Sequence, residues 1–291
     1  MIVTPPPGPA PIRFEVVLSQ SWTLFRRNWI VALPPVIALL ISLVAFAALA
    51  GAIVSRAIAH GAFQRHAPSA DGGFVGMVLG GMLLSTIVVL GVSLWSYAAI
   101  YGMADAVWTK GSATFADGFT AFRTRAGALI VAGIGVAGLA IVAFILALPT
   151  LGVSVLAVPL VTMYVAPSVV SGRRDGFTAI AESYRLVRRF FGTSGITLLV
   201  LLGINYGIST LASLPLYPLE FAFLPSVGQT TPRMPPVGLL LAVGCWFVFA
   251  MIVAQAYLGY YTIAIVGLYR AVVTHPGAGE PPGPVTPVVP A

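Results

Sequence analysis

The sequence predicts an all-α membrane protein with six transmembrane helices arranged as three helical hairpins, and with amphipathic interfacial helices before at least the first and fifth spans. Three observations lead there. Hydrophobic residues make up 58% of the 291 residues and charged residues 8%, too few charges to coat a soluble globule. Six uncharged runs reach the roughly 20 residues needed to cross a hydrocarbon core about 30 Å thick. An amphipathic segment ahead of the first run returns, closely copied, ahead of the fifth.

Residues 1–11, MIVTPPPGPAP, carry no charge and too much proline for a helix, so 1–13 is expected to be a flexible leader. The segment FEVVLSQSWTLFRRNW follows at 14–29. Wound at about 100° per residue, it puts Leu18, Trp22, Phe25 and Trp29 on one face and Ser19, Thr23, Arg26 and Arg27 on the other. Such a helix lies in a bilayer interface, its apolar side at acyl depth and its cations among the headgroups. The first span, 30–54, follows at once, and Pro34 and Pro35 near its start read as an elbow, where missing backbone donors cost least. It is longer than a signal peptide's apolar region and has no small-residue cleavage site, so it is expected to remain as a helix.

The connection 55–73 holds Arg56, His60, Arg65, His66 and Asp71. Two histidines at this spacing match no zinc signature, and no metal site is predicted. The second span, 74–103, exceeds a perpendicular crossing and implies tilt or extension past the interface. Beyond it the pentapeptide Asp117-Gly118-Phe119-Thr120-Ala121 recurs unchanged as Asp175-Gly176-Phe177-Thr178-Ala179. Each aspartate is expected to cap a helix amino terminus. The third span, 127–148, turns through Pro149, Thr150 and Gly152 into the fourth, 151–170, as a tight hairpin.

The second elbow, FTAIAESYRLVRRFF, occupies 177–191. Its Ser183-Tyr184-x-Leu186-x-Arg188-Arg189 aligns with Ser21-Trp22-x-Leu24-x-Arg26-Arg27, and Ile180, Tyr184, Val187 and Phe191 repeat the apolar face. Spans five and six, 193–214 and 237–268, are joined by a proline-rich connection, and the Pro- and Gly-rich tail 271–291 is expected to be disordered. The plan is three units, about 14–108, 115–172 and 177–270, with the elbow of the middle unit short or merged into the third span.

With the amino terminus inside, Arg13, Arg26, Arg27, Lys110, Arg123, Arg125, Arg173, Arg174, Arg185, Arg188, Arg189 and Arg270 fall on one side and only Arg56, Arg65 and Arg233 on the other. That asymmetry predicts cytoplasmic termini. The net charge of +7 flanks apolar spans, with no basic domain of interleaved aromatics, so nucleic acid is not an expected partner. The single cysteine, Cys245, excludes an intrachain disulfide.

No Walker loop, zinc-protease helix, haem pair or nucleophile elbow occurs, and no catalytic residue, cofactor or metal is predicted. Arg26, Arg27, Arg188 and Arg189, with Trp22, Trp29 and Tyr184 beside them, are the candidates for contact with lipid headgroups. The amides of Asn205 and Gln255 stand in mid-span and are expected to face protein, either each other or a polar cavity. Gly76-x-x-x-Gly80 and Gly203-x-x-x-Gly207 read as helix-packing motifs, and Tyr257, Tyr260, Tyr261 and Tyr269 as an aromatic stripe.

At its Ser-Trp/Tyr-x-Leu-x-Arg-Arg elbows, each leading into a hairpin of spans, the chain resembles the bacterial family called the glycerophosphoryl diester phosphodiesterase membrane domain, over about 14–270. The resemblance implies a six-helix membrane module in the inner (plasma) membrane of a bacterium. It brings no catalysis, since the chain lacks room for the phosphodiesterase barrel and any matching histidine-glutamate set. The expectation is a non-enzymatic envelope accessory or scaffold whose partners are anionic lipids, another protein or further copies of itself. One alternative is a carrier for a lipid or apolar solute, marked by a polar or lateral cavity around Asn205 and Gln255. Another is a membrane-bound hydrolase, in which Asp105 meets a second ionisable group.

Overall fold

The computed structural model describes residues 12–59, 72–216 and 237–275. Among them the regular elements are all helical: α1 (Phe14–Arg27), α2 (Leu33–Ala59), α3 (Gly72–Lys110), α4 (Phe115–Ile145), α5 (Val153–Thr162), α6 (Val165–Val170), α7 (Gly176–Arg189), α8 (Phe191–Ser213) and α9 (Val237–Thr274). Short 3-10 turns occupy Trp29–Ala32 and Leu214–Leu216. Among the described residues six helical stretches are long and apolar enough to cross a membrane: Trp29–Arg56, Val75–Lys110, Phe115–Ile145, Val153–Val170, Phe191–Ser213 and Leu241–Thr274. The chain is an integral, multi-pass membrane protein. The expectations for the leader through residue 11, for His60, His66 and Asp71, for the proline-rich connection 217–236 and for the tail beyond His275 lie outside the described residues.

Helices α3 and α9 hold 39 and 38 residues. At about 1.5 Å per residue each is close to 58 Å long, and containing that within a core of about 30 Å would take a tilt of roughly 60°, beyond the observed range. Their ends therefore project past the hydrocarbon. The buried core gathers at one of those ends, where Ala98 to Ala104 of α3, Met163 to Val169 around α6 and Thr262 to Tyr269 of α9 are buried in nearly continuous runs. Polar contacts fasten the same end. Arg270 bonds Asp105 at 2.6 Å, Trp108 Nε1 donates to the Ile263 carbonyl at 2.8 Å, and Asn28 at the close of α1 donates to Gly111 O and accepts from Ala113 N. At the opposite end α2, α3, α4, α5, α8 and the start of α9 leave Phe46, Leu83, Phe144, Leu156, Leu211 and Phe249 exposed, the pattern of surface whose solvent is lipid.

Four local outcomes differ from or refine the sequence reading. The middle elbow is merged, because α4 runs unbroken from Phe115 to Ile145. The fourth span is two helices, α5 and α6, interrupted at Met163 and Tyr164; Pro167 has no N–H to give the Met163 carbonyl, and its ring crowds that carbonyl. The two pentapeptides occupy different helix positions. Asp117 is the third residue of a capping box, accepting from Thr114 N and Lys110 Nζ, whereas Asp175 stands at the N-cap of α7 with no side-chain cap bond. Finally, a Cβ at Gly76, Gly80, Gly203 or Gly207 would meet open space, so neither motif seats a helix crossing here. Close crossings occur elsewhere: α3 on α4, where a Cβ at Gly102 would overlap Ala121 and one at Gly118 would press on Ala99, and α7 on α4, where one at Gly176 would overlap the backbone of Ala132 and Ala128.

The 146–152 connection is the expected tight turn. Leu151 and Gly152 both take positive φ, 51° and 81°, and Gly152 N donates back to Ala147 O at 2.7 Å.

Candidate functional site

Helix α1 turns at Asn28 and enters α2 through the 3-10 turn, as Pro34 and Pro35 foretold. Its inward rank is Val17, Ser21, Leu24 and Asn28, at the spacing of one helical face. Of the face assigned to lipid, Leu18 and Phe25 are half-buried against the core, while Trp22 and Trp29 are exposed by 51% and 62%. Trp22 also sets its ring edge-on to Tyr260, centroids 5.7 Å apart. Helix α7 is more enclosed. Ala179, Glu182, Ser183, Leu186 and Val187 are buried, so Val187, placed by its periodicity on the lipid face, belongs to the core. Helices α4, α5, α6 and α8 cover it, and a period of 3.6 does not tell lipid from protein. Tyr184 remains exposed by 53%.

Arg26, Arg27, Arg188 and Arg189 are all exposed and stand in the last turns of α1 and α7, where cations complement the helix dipole. Among the described residues none of the four is salt-bridged, in contrast to Lys110, Arg174 and Arg270. The structure thus offers two pairs of unengaged guanidinium groups, each beside an exposed aromatic ring.

Sequence reasoning missed the polar network beneath α7. Glu182, 7% exposed, accepts from Arg174 Nε at 2.8 Å, Ser168 Oγ at 2.8 Å and Tyr269 OH at 3.3 Å. Ser183 Oγ donates to Val161 O at 2.6 Å and accepts from Tyr164 N at 3.2 Å, taking up backbone groups freed by the break between α5 and α6. Tyr164 OH shares a hydrogen bond with Ser194 Oγ at 2.8 Å. The signal available in the sequence was Pro159 and Pro167 inside one predicted span, which together announce freed carbonyls needing donors.

The two mid-span amides do not meet. Asn205 is exposed, contrary to the expectation that it faces protein, because α8 is bare on every side from residue 202 to 207. Gln255 is half-buried and lines a cleft of about 290 Å³ between α2, α3 and α9, together with Ser42, Ser93, Ser96, Tyr97 and Thr262. Across α3, a second cleft of about 430 Å³ shares Ser93 and Tyr97 and is otherwise walled mainly by apolar residues such as Leu129, Val136 and Val165. Among the described residues, no carboxylate, ammonium, guanidinium or imidazole lines either one. Ionisable groups line two other clefts instead: one of about 590 Å³, where Asp105 and Asp117 are already engaged by Arg270 and Lys110, and one of about 570 Å³, where Glu182 is engaged by Arg174. No family model, curated protein or solved structure matches the chain.

Proposed function

We propose that the protein is a non-enzymatic accessory or scaffold of a bacterial inner membrane, whose α1 and α7 lie in the cytoplasmic interface and hold anionic lipid headgroups. The observation that carries this reading is the recurrence, at the start of two separate hairpins, of an exposed arginine pair with no salt bridge among the described residues, beside an exposed aromatic ring. Each cation close to an anionic leaflet contributes about 1 kcal/mol, so four bias headgroup contact appreciably. The cytoplasmic placement of both termini rests on the excess of arginine and lysine at the elbow end. The resemblance to the glycerophosphoryl diester phosphodiesterase membrane domain supports the six-helix plan and belongs to the same proposal. Asp105, the residue around which a hydrolase reading would turn, is held by Arg270 and, among the described residues, is accompanied by no nucleophile-base pair.

The test replaces Arg26, Arg27, Arg188 and Arg189 with Gln and measures phosphatidylglycerol retained on the purified protein by native mass spectrometry. Loss of the phosphatidylglycerol preference is the expected result. Unchanged preference in a folded variant removes the elbows from lipid recognition. A carrier for a lipid or apolar solute is the second reading, supported by the Gln255 cleft; Asn205 takes no part in it.

A further inference from the structure

We infer that the Gln255 cleft is a binding site for an uncharged amphiphile, whose hydrogen-bonding group sits between Gln255 and Ser93 and whose chain passes into the apolar cleft beyond Tyr97. The inference concerns the cleft alone and is independent of the arginine elbows.

Three features carry it. Gln255 stands near the middle of α9 and Ser93 just past the middle of α3, inside helices apolar enough to cross a membrane. There a polar side chain is costly to leave without partners. Ser42 and Thr262 donate their hydroxyls to carbonyls of their own helices, at 2.8 Å each, whereas among the described residues the Gln255 amide and the hydroxyls of Ser93 and Ser96 have no hydrogen-bond partner. Donors and acceptors therefore face the same cleft unspent. The lining also specifies charge. With no counter-ion among the described residues of its walls, an ionic group entering here loses hydration and gains no pair, whereas a hydroxyl or ester loses little and gains the amide. The geometry supplies the second half of the ligand. Ser93 and Tyr97, one helical turn apart and exposed, line both clefts, so a polar group held on one side of α3 lies next to an apolar cleft on the other, within reach of the same ligand's chain. The polar cleft, about 290 Å³, is at the lower limit of small-ligand sites, about 300–1,000 Å³, and the apolar one, about 430 Å³, lies within it.

The full chain, reconstituted in phosphatidylcholine nanodiscs, is titrated with radiolabelled 1-oleoylglycerol, a neutral dihydroxy amphiphile. Saturable binding is expected, competed by unlabelled 1-oleoylglycerol, poorly by oleate, whose charge the site does not match, and not by 1-octadecene, which lacks the polar group. Gln255→Leu keeps the volume, removes the amide and is expected to weaken binding about five- to tenfold; Ser93→Ala is expected to cost about threefold. Asn205→Leu, which deletes an amide from exposed α8, leaves it unchanged. The Gln variant of the four elbow arginines also binds as before, so failure here is distinguishable from failure of the headgroup reading. Binding that does not saturate, equal competition by 1-octadecene, or an unaltered affinity in both Gln255→Leu and Ser93→Ala overturns the proposal. If Gln255→Leu does not fold, Ser93→Ala and the competition series on the unaltered chain decide it.

Discussion

Helices α1 and α7 each hold 14 residues, end on a double arginine and turn directly into a span, yet their aligned serines do different work. Ser21 donates to Val17 O one turn back in its own helix, at 2.7 Å, and touches no other element through its hydroxyl. Ser183 bridges a broken helix of the neighbouring hairpin. One position later in the pattern the contrast inverts. Trp22 packs on Tyr260, whereas Tyr184 makes no ring contact among the described residues. One position earlier Gln20 is exposed where Glu182 anchors a buried network. A shared motif thus serves as a surface brace in the first unit and as a keystone in the third. What differs is the set of partners: α1 rests chiefly on α9, which is continuous, whereas α7 packs on continuous α4 and also on α5 and α6, whose break Ser183 bridges.

That comparison can be broken most decisively at Glu182. Glu182→Ala leaves the Arg174 guanidinium and the Ser168 hydroxyl without their acceptor and is expected to cost about 3 kcal/mol, the lower end for a buried pair because Arg174 keeps some solvent access. Glu15→Ala, on exposed α1, should stay within about 0.5 kcal/mol. Denaturant unfolding in mixed micelles measures both, and similar losses would abolish the distinction between brace and keystone. Next in size, Ser183→Ala strands the Val161 carbonyl and the Tyr164 amide and should cost about 1–3 kcal/mol, against less than about 0.5 kcal/mol for Ser21→Ala.

The third comparison runs the other way. Trp22→Leu removes an edge-to-face ring pair and should lower stability by about 0.5–1.5 kcal/mol, more than Tyr184→Leu does. A larger loss at Tyr184 would mean that its exposed ring has a partner of its own. The smallest difference is expected between the arginine pairs. Since both are exposed and unbridged, Arg26→Gln with Arg27→Gln and Arg188→Gln with Arg189→Gln should reduce retention of phosphatidylglycerol equally, and the reduction should shrink as salt is raised.

The six spans were legible because length and hydropathy are local: a run of some twenty apolar residues needs no partner to declare itself. The elbows were legible through their period and through the repeated Ser-Trp/Tyr-x-Leu-x-Arg-Arg. The period left open which apolar residues are covered by protein, and Val187 and Asn205 fell on the unexpected side for that reason. The repeated pentapeptide was equally ambiguous. Thr114 precedes Asp117 at capping distance and Lys110 reaches it, while Arg174 beside Asp175 turns to Glu182, so identical letters took different positions. The Gln255 cleft was half visible. One amide in an apolar run was conspicuous, but the hydroxyls of Ser93 and Ser96 on α3 are unremarkable until α3 and α9 are set side by side.

The chain by itself determined that it enters a membrane six times, where its elbows fall and which of its ends carry positive charge, because each of these depends on residues within one or two helical turns. Only the tertiary structure decided that α7 repairs the break in the middle hairpin, that Glu182 is buried, and that Gln255 and Ser93 share a cleft while Asn205 stands apart. Those outcomes depend on which helices lie against one another. In a chain this apolar, nearly every face is greasy enough to meet either lipid or protein, and side-chain fit between helices makes the choice.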